Sequence, residues 1–209
     1  MGNYFAGPKA LEFIPSGCKV LDLALGGGWI EDRIVNIVGD KSTGKTLLAT
    51  EACVNFAVKY AKGKIRYREC ERAWDNSYAE AIGMPMDRID FGDSLDTVEE
   101  LFNDLLKIIG NAKHPELCVV DSLDSLSDQA EMARGMDEGT YGTNKARNMS
   151  QLFRRLVRAL AESHVTLIIV SQVRSEIGPT LGRKTRRSGG RALDFYASQV
   201  LYLSHIKTI

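Results

Sequence analysis

An octapeptide sets the terms for the rest of this chain: Gly39-Asp40-Lys41-Ser42-Thr43-Gly44-Lys45-Thr46, the pattern Gly, any four residues, Gly-Lys-Thr. The apolar run Ile34-Val35-Asn36-Ile37-Val38 leads into it, and a helical pattern from Leu47 to Tyr60 follows. Glycines let the backbone curl so that consecutive N–H groups turn inward, where phosphate oxygens can sit. The helix behind adds its positive N-terminal end. Lys45 is expected to reach the outer phosphates and the Thr46 hydroxyl to hold a Mg²⁺. The strand before the loop and the helix behind it separate it from a glycine-rich turn and mark a nucleoside triphosphate site.

At 209 residues, with 44% apolar and 26% charged side chains, the chain suits one α/β domain with a substantial core. The formal net charge is zero, so any binding of nucleic acid must come from a local patch. Cys18, Cys53, Cys70 and Cys118 lie far apart, without CxxC spacing. That spacing argues against a zinc site or a disulfide framework and for core or strand positions in a reducing cytoplasm. No apolar run approaches a membrane span, and no basic-then-apolar leader opens the sequence.

Ser16 is expected to cap a short helix over Val20–Leu25, which Gly26-Gly27-Gly28 ends. Further strands are read at Lys64–Glu69, Leu117–Asp121, Val165–Val170 and Gln199–Leu203. Helices are read from Trp74 to Ala81, Thr97 to Ile109 and Lys145 to Ser163, with a short one before the last strand. Two stretches read as long loops, Gln129–Thr143 and Arg174–Gly190. Alternating strands and helices imply parallel crossovers and a sheet covered on both faces, with ligands at the strand C-terminal ends.

Four polar groups fall at those ends. Asp121 closes an apolar run, the place for a second acid that holds Mg²⁺ with Thr46. Hydrolysis also needs a group to activate water; Glu69 and Glu71 both qualify, and alternation points them to the same face. Gln172 is an uncharged amide suited to sensing a terminal phosphate. Behind it, between Arg174 and Arg191, six basic residues (Arg174, Arg183, Lys184, Arg186, Arg187, Arg191) face one acid, Glu176. Such a patch on a glycine-hinged loop suits a phosphate backbone, with Pro179 and Leu181 as an apolar wedge. The guanine-reading Asn-Lys-x-Asp is missing, since Asn144-Lys145-Ala146-Arg147 ends in the wrong residue, so adenine is the default base.

Taken together, Gly39–Thr46, Val119-Val120-Asp121-Ser122, Ser171-Gln172-Val173-Arg174 and Gly189-Gly190-Arg191-Ala192-Leu193-Asp194-Phe195-Tyr196-Ala197-Ser198 resemble the ATPase core of RecA-type recombinases. So do Leu21–Gly26 and Met149-Ser150-Gln151; the resemblance runs from Gly17 to Ser204. It implies an α/β P-loop NTPase of RecA type, with a mostly parallel central sheet and helices on both faces. Residues 1–16 become an N-terminal lead-in and candidate oligomerisation segment, and residues 17–209 the ATPase core. The segment Glu69–Asp75 resembles the family's acidic motif, which assigns Glu71 rather than Glu69 as the catalytic base. Asp75 and Tyr78 match adenine contacts, Gln172 the γ-phosphate sensor, and Met132–Thr143 and Arg174–Gly190 the two DNA-binding loops, with Gly189, Gly190 and Arg191 closing the second. The resemblance implies ATP and Mg²⁺ as cofactors, and single-stranded DNA, a homologous duplex and further copies of the chain as partners. It also implies a location in the cytoplasm of a bacterium or a phage-infected host.

The sequence departs from the family pattern at Asp40-Lys41, where Pro-Glu is usual, at Leu181 in place of an aromatic, and at Asp194 in place of a basic residue. The resemblance also stops before the strand pair whose lysines reach a neighbour's ATP. Two function classes follow. One is a DNA-dependent ATPase that forms filaments and promotes strand exchange; the other is a recombinase paralogue or mediator that uses ATP as a switch with little turnover. A ring helicase or clock-type ATPase fits the phosphate loop but not the Gly-Gly-Arg-Ala-Leu string.

Overall fold

The computed structural model describes residues 10–127, 129, 142–175, 185–187 and 190–206. Its centre is a sheet of six parallel strands: β3 (Ile34–Gly39), β4 (Lys64–Glu69), β5 (Ile89–Asp90), β6 (Glu116–Asp121), β7 (Val165–Ser175) and β9 (Gln199–Leu203). They lie in the order β5-β4-β6-β7-β3-β9. A seventh strand, β8 (Thr185–Arg187), pairs antiparallel with the far end of β7. A separate two-stranded ladder joins β1 (Phe13–Ile14) to β2 (Trp29–Ile30).

The continuous apolar runs are explained by burial on both faces, because side chains alternate along a strand and each face here has its own core. On one face Ile34, Cys118, Val120, Leu167 and Ile169 pack against α4 (Val98–Asn111) and α5 (Gly142–Ala161). On the other, Val35, Ile37, Ile65, Tyr67, Leu117, Val119, Ile168 and Val170 pack against α2 (Lys45–Lys59) and Ala79 of α3 (Asn76–Ala81). Helix α4 starts where its sequence says it should: Thr97 Oγ1 accepts from Glu100 N–H at 3.2 Å while Glu100 Oε2 accepts from Thr97 N–H at 3.0 Å. The same core face carries a part-buried ion pair, Arg68 Nε to Asp104 Oδ2 at 2.6 Å, which ties β4 to α4.

Register decides what shares an edge. Gly39 is level with Gln172 on one side and Leu203 on the other, and Glu69 is level with Asp121. The phosphate loop, Asp121 and Gln172 therefore leave the sheet together at its C-terminal edge.

Several sequence expectations are corrected. The first helix, α1 (Lys19–Leu25), is capped by Cys18 without a side-chain bond, not by Ser16. The Ser16 hydroxyl instead binds the Cys18 backbone, donating to its carbonyl at 3.1 Å and accepting from its N–H at 3.2 Å. Val20 and Leu23 of that helix are exposed, and Cys18 is too, outside the core expected for the cysteines. Helix α3 starts at Asn76, two residues later than Trp74, because Asp75 caps it and Trp74 stacks beside Tyr67 and Phe91. Strand β7 runs through Ser171-Gln172 to Ser175, and residues 185–187 return along it, so that part of the expected second loop is a two-stranded arm. The edge strand β5 and the β1–β2 ladder had no signal of their own, being two residues long. Of the first expected loop, Gln129–Thr143, residues 142 and 143 open α5 and residues 130–141 lie outside the described ones.

Candidate nucleotide site and basic arm

The phosphate loop is shaped by backbone that most residues avoid. Ser42 has φ 58° and Gly44 φ 91°, the left-handed region, directly before α2 begins at Lys45. The Asp40 carbonyl takes the Thr43 hydroxyl at 2.9 Å and the Lys45 ammonium at 2.6 Å, while Lys41 N–H donates to Asp40 Oδ1 at 2.7 Å. Lys45 is thus folded across the loop and is only 7% exposed. His205, in the tail behind β9, lies 3.1 Å from the Lys41 carbonyl and borders the loop on its other side.

Across the edge, the Thr46 hydroxyl donates to Asp121 Oδ2 at 2.8 Å, and the Tyr67 hydroxyl donates to the same oxygen at 2.9 Å. Burial raises the Asp121 pKa; the two hydroxyl bonds pull it down, and the negative charges of Glu71 and Glu69 push it up again. A buried carboxylate paired with a hydroxyl is an all-oxygen donor set, the kind a hard divalent cation such as Mg²⁺ accepts. Tyr67 was not among the sequence candidates. Its place on β4, level with Val119 of β6, is what aims its hydroxyl at Asp121.

Glu69 and Glu71 do not share a face, because β4 ends at Glu69 and the chain turns through Arg72 at φ 56°. Glu69 is spent on that turn, accepting from Arg72 N–H at 2.9 Å and Ala73 N–H at 3.1 Å. Glu71 instead meets β7 and the residue that follows β6: its Oε1 accepts from Ser122 Oγ at 2.6 Å and from Gln172 Nε2 at 2.8 Å. Beyond it opens a polar cleft of ≈ 540 Å³ lined by Cys70, Glu71, Arg72, Leu95, Asp96, Ser125 and Ser127. The Gln172 N–H donates to Asp124 Oδ2 at 2.6 Å. Ser122 and Asp124 had no role in the sequence reading; Ser122 appeared there only as the end of the Val119–Ser122 string, and Asp124 had no signal beyond proximity to Asp121. Asp75 caps α3 by accepting from Tyr78 N–H at 3.2 Å, and Tyr78 is exposed on that helix.

The basic residues divide. Arg174 lies on β7, two residues past Gln172, in register with Arg186 of β8, and Arg187 is level with Val173. Gly190 and Arg191 open helix α6 (Gly190–Tyr196). Arg183, Lys184 and Gly189 lie outside the described residues.

Sheet order, loop and strand-end acid together define an α/β P-loop NTPase core. Residues 6–209 match the profile described as the RecA N-terminal domain. Similar proteins named Protein RecA include those of Streptomyces ambofaciens, 34% identical over 96% of this chain and 53% of its own length, and Nocardioides sp., 36% identical over 95% and 56%. That of Acholeplasma laidlawii is 32% identical over 96% of this chain and 59% of its own length. The chain belongs to the RecA family. It spans about half the length of the curated relatives it matches. Among the described residues, no helix is long and apolar enough to cross a membrane.

Proposed function

We propose that this chain acts in homologous recombination and DNA repair as an ATP-dependent protein that binds single-stranded DNA. In this reading it assembles with further copies into a filament and promotes exchange with a homologous duplex while hydrolysing ATP, in the cytoplasm of a bacterium or phage-infected host. The observation that carries the reading is the junction at the sheet edge, where Thr46 meets Asp121 at 2.8 Å and Glu71 meets Gln172 at 2.8 Å, two residues before the basic arm.

In this reading each residue has a role. The loop residues Gly39–Thr46 cradle the phosphates, with Lys45 leaving the Asp40 carbonyl for a phosphate oxygen. Thr46 and Asp121 would hold Mg²⁺, which would neutralise charge on the phosphates when bound. Glu71 orients and deprotonates the attacking water, held in place by Ser122. Gln172 senses the terminal phosphate, and because it lies on the strand that continues into Arg174, a change at the nucleotide reaches the arm through covalent backbone. Arg174, Arg183, Lys184, Arg186, Arg187 and Arg191, with Gly189 and Gly190 as hinges, meet DNA phosphates. Asp75 and Tyr78 flank the adenine.

The test is the ATPase rate with and without single-stranded DNA, with filaments sought by electron microscopy. Stimulated turnover with filaments is expected. Nucleotide binding with neither would replace this reading by a filament mediator that uses ATP as a switch.

A further inference from the structure

Gln172 is held by two carboxylates in different ways. Its main-chain N–H donates to Asp124 Oδ2 at 2.6 Å, which fixes the backbone. Its side-chain amide donates to Glu71 Oε1 at 2.8 Å, through torsions that can turn about that fixed backbone. The same Glu71 oxygen accepts from Ser122 Oγ at 2.6 Å, so it already carries two donors. Asp124 belongs to a 3₁₀ turn, Leu123–Ser125, directly behind Asp121 and Ser122. One short segment therefore carries the acid opposite Thr46, the hydroxyl on Glu71 and the clamp on Gln172.

We infer that Asp124 is a positioning residue for Gln172: it pins the backbone at residue 172 so that the side-chain amide exchanges the Glu71 carboxylate for the terminal phosphate of a bound triphosphate. The inference rests on the nucleotide site proposed above and adds its regulation. Before a terminal phosphate arrives, the amide covers Glu71 Oε1 and keeps that oxygen from a water molecule. When the amide leaves, Ser122 still orients the carboxylate and the oxygen has room for the attacking water. A diphosphate has no terminal phosphate to draw the amide away, so Glu71 Oε1 keeps its amide donor.

The experiment measures binding of ADP and of a non-hydrolysable ATP analogue to the 209-residue chain and its variants. Asp124→Ala should lower the preference for triphosphate over diphosphate about tenfold, the equivalent of one hydrogen bond to a charged group, and leave ADP affinity unchanged. Asp124→Asn keeps an acceptor oxygen and should restore the preference to within about twofold of wild type. Equal loss for both nucleotides, or a lowered melting point with the preference intact, makes Asp124 a structural residue and overturns the inference. Partner exchange is read from a double-mutant cycle. Glu71→Ala should tighten the analogue more in the presence of Gln172 than in the Gln172→Ala background, which contains only the loss of the Glu71 charge. Equal gains in both backgrounds refute the exchange. If the analogue does not bind wild type, or binds Lys45→Ala equally well, the nucleotide site itself is wrong and the inference falls with it.

Discussion

Replacing Gly39 by alanine tests how the phosphate loop is built, because the two glycines of the motif are needed for different reasons. A Cβ at residue 39 would stand 2.4 Å from Thr43 Oγ1, 3.0 Å from the Leu203 carbonyl and 3.1 Å from Leu203 Cβ. Thr43 can rotate away, at the loss of its 2.9 Å bond to the Asp40 carbonyl, about 0.5–1.5 kcal/mol. The β9 backbone cannot rotate, and forcing it aside adds roughly 1–3 kcal/mol of overpacking. The sum is about 1.5–4.5 kcal/mol, or a fall in melting temperature of roughly 3–18 °C for a domain of this size. A Cβ at Gly44 meets nothing within 4 Å, so Gly44→Ala is charged only for its φ of 91°, about 1–2 kcal/mol. The assay is denaturant unfolding of the nucleotide-free proteins with linear extrapolation. Gly39→Ala combined with Thr43→Ala should cost no more than Gly39→Ala alone, since the hydroxyl is displaced in either case. A Gly44 variant less stable than the Gly39 variant, or fully additive loss in the double variant, would refute the packing argument.

Glu71→Gln keeps an acceptor for Ser122 and Gln172, so it should retain nucleotide and DNA binding while turnover falls about 10²–10⁴-fold; a rate within threefold of wild type removes Glu71 from the base role. Asp121→Asn tests the raised pKa. A carboxyl with a folded pKa above its unfolded value favours the folded state fully below the ordinary carboxylate range, and that contribution disappears as pH rises through the folded pKa. The Asn variant should therefore melt higher than wild type at neutral pH without nucleotide or Mg²⁺, the gap should close on acidification, and Mg²⁺-dependent nucleotide binding should be lost. A gap that persists at low pH would contradict the burial argument. Neutralising Arg183, Lys184, Arg186 and Arg187 together should weaken binding to single-stranded DNA and flatten the slope of log affinity on log salt by about 3. An unchanged slope would remove the arm from the DNA surface.

The sequence by itself determined the main elements of the sheet, the loop Gly39–Thr46 and the strand-end position of Asp121, because each rests on local information. Apolar runs mark strands buried on both faces, a capping box starts α4, and Gly-Lys-Thr opens α2. It also placed Gln172 at the same edge, since parallel strands expose equivalent ends. Tertiary structure alone decided the partners. Tyr67 shares Asp121 with Thr46 because β4 and β6 pair in one register, and no pattern within either strand encodes that pairing. Glu69 and Glu71 separate because the chain leaves the sheet between them, which strand alternation could not anticipate. Ser122 acquires its role from Glu71, just past β4, and Asp124 from Gln172 of β7, each about fifty residues away in sequence. The octapeptide defines a place for phosphates; what meets those phosphates is fixed by register between strands distant in the chain.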